Sequence, residues 1–430
     1  MEHFLKVSLQ KLHSSLQTHM PPSPYRDMFS WAISPQSPVQ QTWLQAMGVF
    51  QLIKLTETLL DGLVNDSEWE HLLPYAARLN AYLTYEVVSD NLAIGLAHYM
   101  PEDQTHELRR EILRVFNRAM IARLRGDPRP AAELLSPLRA ITRPISVFQQ
   151  SLNRDTQISC AQAYLKYHAN GLTLDDLEYQ AWPALVANIE ACASLVQAMD
   201  AFHCGPVFKD GLIARYQAVN HLLEQDHLTR EQMAQIGADS ILVMPVLVYY
   251  TAVLGEILRP RRGLRSLAEN GALAGVMRDA ALLVRLLNDL GTPLVMLSPT
   301  EQEVLVDMLI VYYQTNPSDM RTLSDVLIGI DDMSLLTRIR KDLEFNEFNV
   351  ALYGTLDIQP VPKAIKAFGR NLVYFTQLYH HRYACLREDL DAISRALNDD
   401  RIGALALRFV GFHEYLYNSP FNTTVGEYAI

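Results

Sequence analysis

Two groups of residues in this 430-residue chain combine types and spacing that could do chemistry. Glu86 and Asp90 lie within LNAYLTYEVVSDNLAIGLAHYM at i and i+4, so a helix there carries both carboxylates on one face. Like charges at that spacing repel unless a cation or a basic group lies between them. Paired oxygen donors suit magnesium, which keeps several of its waters; a polar stripe on a part-exposed helix is the plainer alternative. The second group is Asn288, Asp289 and Thr292, late in an apolar helical pattern, with Arg285 one turn earlier. Asn288 and Thr292 share a face. Polar groups buried there need partners, because unpaired burial costs several kcal/mol, and a divalent cation is one such partner. Helix termination explains the same residues, since Gly291, Thr292 and Pro293 follow directly.

Other residue groups compete for the same role. Asp175-Asp176, Asp331-Asp332 and Asp399-Asp400 stand at helix starts or between helices, where acids cap free amides and complement the dipole. RIRKDLEFNEFN at 338–349 offers Arg338 and Lys341, whose cationic groups pair with phosphate oxygens, or else a solvated amphipathic face. Glu68 with His71 and Glu224 with His227 form two ExxH pairs, the element that di-iron carboxylate bundles use twice. Both pairs fall at polar helix ends, whereas core ligands interrupt apolar faces. His98, His380, His381 and His413 have no partner pattern and read as surface or satisfied core groups. No G-x-S-x-G, phosphate-binding loop or dinucleotide fingerprint occurs in a strand–helix setting, which removes the corresponding hydrolase, nucleotidase and dehydrogenase classes.

The segment 228–294, with YEVVSDN at 85–91, resembles the class I terpene synthases and their relatives of the all-α isoprenoid-synthase fold. VRLLNDLGT at 284–292 looks like that family's second metal motif. LTREQMAQIGADS at 228–240 looks like the approach to its broken helix beside the cavity, and YEVVSDN stands where its Asp-rich motif would be. The resemblance implies an apolar cavity in which Glu86, Asp90, Asn288, Asp289 and Thr292 hold Mg2+ on a prenyl diphosphate. It implies that Arg230 senses the diphosphate with help from Arg285, that Gly237 and Asp239 belong to the helix break, and that Tyr82, Tyr85, Arg338 and Lys341 surround the substrate. The activity implied is ionisation and cyclisation of that substrate. The chain departs from the family pattern in several places. Adjacent aspartates are missing from the first motif, Met296 stands where the second has Glu, and the nearest acid, Glu301, lies beyond Pro299. The terminal Arg-Tyr pair is replaced by Glu427-Tyr428 or the distant Arg408, and an insertion falls around 150–215. These departures carry a second expectation, a non-catalytic binding or interaction protein that keeps the fold.

Apolar residues recur at three- and four-residue spacing nearly throughout, which predicts an all-α chain of antiparallel helices. The helices expected are roughly 2–18, 39–63, 68–100, 106–124, 130–142, 146–169, 173–200, 208–226, 229–257, 264–291, 299–315, 333–352, 361–398 and 400–417. Pro21, Pro22, Pro24, Pro35 and Pro38 make 19–38 an extended arm. The organisation predicted is therefore a helix and Pro-rich arm over 1–38 and one large helical domain over 39–430. A 49% hydrophobic content suits a large core, and 20 Tyr, 14 Phe and 4 Trp would line a cyclase pocket or simply fill that core.

A net charge of −11 without a basic run, apart from RPRRGLR at 259–265, excludes a nucleic-acid binder. Four scattered cysteines without CxxC spacing fit a reducing, cytoplasmic setting. No basic-then-apolar leader is present, and Ile241–Leu254, interrupted by Pro245, is too short to span a membrane and reads as a buried helix. The sequence allows a monomer or a homodimer.

Overall fold

The apolar spacing forms helices throughout the computed structural model, which describes residues 2–97, 104–148, 153–168, 171–224, 228–317, 320–330 and 333–418; no strand occurs among them. The first group is α1 (Glu2–His19), α2 (Pro24–Ala32), α3 (Gln40–Ala46), α4 (Val49–Leu60), α5 (Asp66–Ala93), α6 (Gln104–Leu124), α7 (Ala131–Leu134) and α8 (Leu138–Ile141). Then come α9 (Arg154–His168), α10 (Leu174–Glu178), α11 (Ala181–Gln197), α12 (Gly205–Glu224), α13 (Arg230–Asp239), α14 (Val243–Ala252), α15 (Arg262–Glu269) and α16 (Ala272–Leu290). The last are α17 (Thr292–Val295), α18 (Pro299–Thr315), α19 (Leu323–Gly329), α20 (Thr337–Glu344), α21 (Val361–Leu397) and α22 (Arg401–Leu416). A π-helical turn, Val253–Leu258, continues α14.

Local chemistry sets many of the boundaries. Capping boxes start α5 (Asn65 with Glu68), α10 (Thr173 with Asp176), α13 (Thr229 with Gln232), α18 (Ser298 with Glu301) and α19 (Thr322 with Asp325). The Pro-rich stretch is not an extended arm. Ser23 accepts from the Arg26 amide and Pro24 opens α2, where a missing N–H costs nothing and the fixed φ suits a helix. Tyr25, Met28 and Phe29 then bury in the core. Gly48, at φ 69°, separates α3 from α4 and breaks the single helix expected over 39–63. The helix expected over 229–257 stops at Ser240 and restarts at Val243 with a 49° bend. Pro245 sits in the first turn of α14, where a helix needs no donor. After α20 the chain runs through turns to 357 instead of continuing the helix expected over 333–352.

α16 is the central element, with Ala280, Leu283, Leu286, Leu287 and Leu290 all buried and α13, α14, α21 and α22 packed around it. α5 forms a second centre against α1 and α11. The span read as an insertion, 150–215, supplies α11, whose Ala184–Ile189 stretch is wholly buried. Every residue of α14 is buried, as expected for the apolar run at 241–254. Among the described residues no single helix is long and apolar enough to cross a membrane.

Candidate functional site

A cavity of about 1060 Å³ opens between these two centres, at the upper end of the roughly 300–1,000 Å³ usual for ligand pockets. Most of its wall is aliphatic: Leu83 and Val87 of α5, Val219, Leu222 and Leu223 of α12, and Val243 and Val246 of α14. The α13–α14 break places Ser240, Ile241 and Leu242 on the wall, α22 adds Phe409, His413 and Leu416, and Tyr417 follows directly after α22. One helical face of α5 also presents Glu86 and Asp90, while α16 and α20 present Arg285, Asn288, Arg338 and Lys341. The two sequence-predicted groups therefore share one cavity.

On the α5 wall the cation between the two carboxylates is an arginine of α12. Arg215 Nη2 lies 3.0 Å from Glu86 Oε2 and 2.8 Å from Asp90 Oδ1. The Tyr216 hydroxyl donates to Glu86 Oε1 at 2.6 Å and is itself hydrogen-bonded to Tyr82 at 2.9 Å. Glu86 is buried, whereas the Asp90 side chain is 61% exposed. Asp90 nevertheless lies deep in the protein, because the surface it exposes is cavity wall. Burial pushes its carboxyl up to about 6 against the pull of Arg215, with Glu86 adding to the rise. Burial also works against the Arg215 charge, but Glu86 and Asp90 outweigh it and leave the guanidinium more firmly protonated than usual.

On the opposite wall the polar groups are interlocked. Arg285 donates to Asp289 Oδ2 through Nε at 3.0 Å and Nη2 at 2.9 Å, and to the Phe348 carbonyl at 2.7 Å. Asp289 also accepts from the Val350 amide at 2.8 Å and from Asn288 Nδ2 at 3.1 Å. Burial pushes its carboxyl up to about 6, and Arg285 opposes that rise. Asn349 Nδ2 donates to Asp342 Oδ2 at 2.7 Å and to the Asp289 carbonyl at 2.8 Å, so the turn after α20 is pinned to α16. Arg338 donates to the Asn288 carbonyl at 2.9 Å and to its Oδ1 at 2.6 Å, and lies over the Tyr417 ring at 4.6 Å. Lys341 pairs with Glu347 at 2.5 Å and Asp342 at 3.2 Å. Burial pulls its ammonium down, but those two acids together hold its pKa above the ordinary value.

Seven expected site residues lie off the cavity wall: Tyr82, Tyr85, Arg230, Gly237, Asp239, Asp289 and Thr292. Tyr85 donates to Ser15 of α1 at 3.2 Å, and Tyr82 stands behind Tyr216. Arg230 donates to Asn371 at 2.7 Å and lies over the Tyr374 ring, which ties α13 to α21. Asp239 accepts from Arg278 at 3.2 Å. Gly237 sits within α13 rather than at its break, and a Cβ there would meet Arg285 Cγ at 3.2 Å, so its role is close helix approach. Thr292 donates to the Glu414 carbonyl at 2.6 Å, and Met296 is 50% exposed.

The donors expected to hold magnesium on the second motif therefore do not form one set. Asn288 Oδ1 accepts from Arg338, Thr292 faces α22, and Asp289 is enclosed with Arg285. Among the described residues no group of three or more His, Cys, Asp or Glu side chains is arranged for a metal ion. The ExxH residues are also engaged elsewhere. Glu68 caps α5 and pairs with Arg259, His71 is hydrogen-bonded to the Ser67 carbonyl at 2.7 Å, and Glu224 pairs with Arg118. Asp176 caps α10, Asp399 pairs with Arg261 and Arg401, and Arg408 donates to the Asp61 carbonyl. His98, His227, Asp331-Asp332 and Glu427-Tyr428 lie outside the described residues.

Large aromatic side chains mostly went to the core: Tyr82, Tyr85, Tyr249, Tyr250 and Phe116 are fully buried and off the cavity wall. Sequence reasoning missed Arg215, although a lone arginine in the apolar pattern GLIARYQAV already demanded a partner. His413, read from the sequence as a surface or satisfied core group, is a satisfied core group that also lines the cavity: it stacks on Phe409 at 4.8 Å and is hydrogen-bonded through Nδ1 to the Phe409 carbonyl at 2.8 Å. Burial lowers its pKa to about 4 and keeps the ring neutral. No protein-family model, curated protein or solved structure matches this chain.

Proposed function

We propose that the cavity binds a prenyl diphosphate and that the protein ionises it in the manner of a divergent class I terpene synthase. One observation carries this reading: Glu86 and Asp90 of α5 and Arg285, Asn288, Arg338 and Lys341 line a single cavity whose remaining wall is largely aliphatic. The chain of an isoprenoid suits that wall, and its diphosphate suits the charged end. In the reaction the allylic C–O bond breaks, its electron pair leaves with the diphosphate, and loss of a proton or capture by a nucleophile ends the resulting carbocation. Phe348, Phe409 and Tyr417 add aromatic surface to the same cavity, which limits the contact of such a cation with water. Magnesium would normally withdraw the leaving-group charge. The second-motif donors here do not fit it, so that charge falls to the side-chain cations of the same wall.

A specific observation favours a second reading, a non-catalytic protein that binds an anionic amphiphile: Arg215 already pairs with both Glu86 and Asp90, where a catalytic metal would sit. Incubation of the full chain with prenyl diphosphates from geranyl to geranylfarnesyl, with product and released diphosphate followed by mass spectrometry, separates the two. Turnover that is lost in Arg338→Gln supports the enzyme. Binding of these compounds without diphosphate release under any metal supports the binder, and no binding at all defeats both.

A further inference from the structure

Both positions at which the terpene-synthase resemblance expects metal carry an arginine instead. On α5, Arg215 lies at hydrogen-bond distance from Glu86 and Asp90, so a cation of the chain already stands between the two carboxylates and offsets one of their two charges. Arg215 is itself buried, and the Tyr216 hydroxyl takes the remaining Glu86 oxygen, so both Glu86 oxygens have protein partners while Asp90 alone keeps surface on the cavity. On α16, Arg338 holds both the carbonyl and the Oδ1 of Asn288, the amide oxygen that a metal would need. Arg285, Arg338 and Lys341 nevertheless all line the lumen; Asp289 and Asp342 lie off its wall and buried, whereas Glu347, 2.5 Å from Lys341, lines it beside them. The cationic groups thus stand between the two buried aspartates and any ligand. Guanidinium groups meet phosphate oxygens through two parallel N–H donors, and an ammonium meets them as a point charge.

We propose that this cavity holds the phosphate oxygens of its ligand directly on Arg285, Arg338 and Lys341, without a divalent metal, and that Arg215 is the resident counter-cation of Glu86 and Asp90. The first half rests on reading the ligand as a diphosphate; the second half does not, and the two are tested separately.

Inorganic pyrophosphate is titrated into the full chain by calorimetry, once with EDTA and once with excess magnesium. Equal affinity in the two buffers is expected. Arg338→Gln and Lys341→Gln each weaken binding about tenfold or more, the loss of one charge-assisted hydrogen bond. Binding that requires magnesium overturns metal-free capture. Absence of binding in both buffers overturns the diphosphate reading of the ligand and leaves the Arg215 half to the second measurement. There, manganese is titrated and followed by electron paramagnetic resonance. The wild type is expected to bind no manganese at α5, and Arg215→Gln to gain a bound ion that Asp90→Asn in the same background removes. Arg215→Lys, which keeps the charge, should gain none. Manganese bound by the wild type and lost in Asp90→Asn overturns the inference, and this comparison stands even if Arg215→Gln fails to fold.

Discussion

Asp289→Ala distinguishes an ion pair that holds the fold from a ligand that holds a metal. Asp289 is 0% exposed and accepts hydrogen bonds from Arg285, Asn288 and the Val350 amide. Removing one partner of a buried ion pair costs about 3–5 kcal/mol, because the other charge stays behind uncompensated. An orphaned buried amide at Val350 adds about 1–3 kcal/mol. Arg285 lines the cavity, so its released guanidinium meets water there, and the expected total falls near the low end, about 4 kcal/mol. With a urea m-value of roughly 3 kcal/mol/M or more for a chain of this size, the unfolding midpoint drops by about 1 M. Urea titration followed by far-ultraviolet circular dichroism reads it directly. The double variant Arg285→Met/Asp289→Ala replaces the pair by apolar groups and should lose less than Asp289→Ala alone. A loss below about 1 kcal/mol, or single-variant effects that simply add in the double variant, would refute the ion-pair account. A metal ligand predicts the opposite pattern: metal-dependent activity is lost and metal-free stability is unchanged.

Three further outcomes follow from the same geometry. Tyr216→Phe removes the donor to Glu86, so thermal unfolding should show a loss of about 1–3 kcal/mol; an unchanged melting temperature would count against the network. His413 has a folded pKa near 4 against an ordinary 6.5, so as pH falls below 6.5 the unfolded imidazole takes up a proton that the folded one refuses. Its contribution is complete above 6.5 and is lost toward pH 4, up to roughly 3 kcal/mol. His413→Gln should flatten that limb of a stability-against-pH curve, and an unaltered slope would show that other groups set it. Gly291 combines φ 81° with a would-be Cβ only 3.1 Å from Arg338 Cγ. Gly291→Ala should therefore cost about 1–3 kcal/mol in denaturation and also weaken pyrophosphate binding by displacing Arg338; a stable variant with unchanged binding argues against this placement.

Much of the helical layout was readable because its causes are local. The period of the apolar residues and the stop at Gly291 and Pro293 each act within a few residues. The errors were local as well. Prolines at 21–24 read as a break, yet Pro24 starts a helix because Ser23 caps it. The long pattern at 229–257 hid a bend at Ser240–Leu242, since burial on all sides leaves no periodic signal to interrupt. In the candidate site, the face shared by Glu86 and Asp90 was legible from spacing, whereas the grouping of Arg285, Asn288, Arg338 and Lys341 around one cavity was implied only by the terpene-synthase resemblance. Thr292 and Arg230 do not join that group, because each turns toward a helix distant in sequence, α22 and α21 respectively.

The sequence by itself determined that this chain is helical and that α5 carries two acids on one face, to be met either by a positive partner or by solvent on a part-exposed helix. Only the tertiary structure decided that the partner is Arg215, a residue 125 positions from Asp90 on another helix. It likewise decided that Asp289 closes on Arg285 and the Val350 amide instead of facing the cavity. Helical periodicity fixes which side chains share a face, and elementary electrostatics fixes that a buried carboxylate needs a counter-charge. What stands opposite that face depends on how distant helices pack, which no local pattern records.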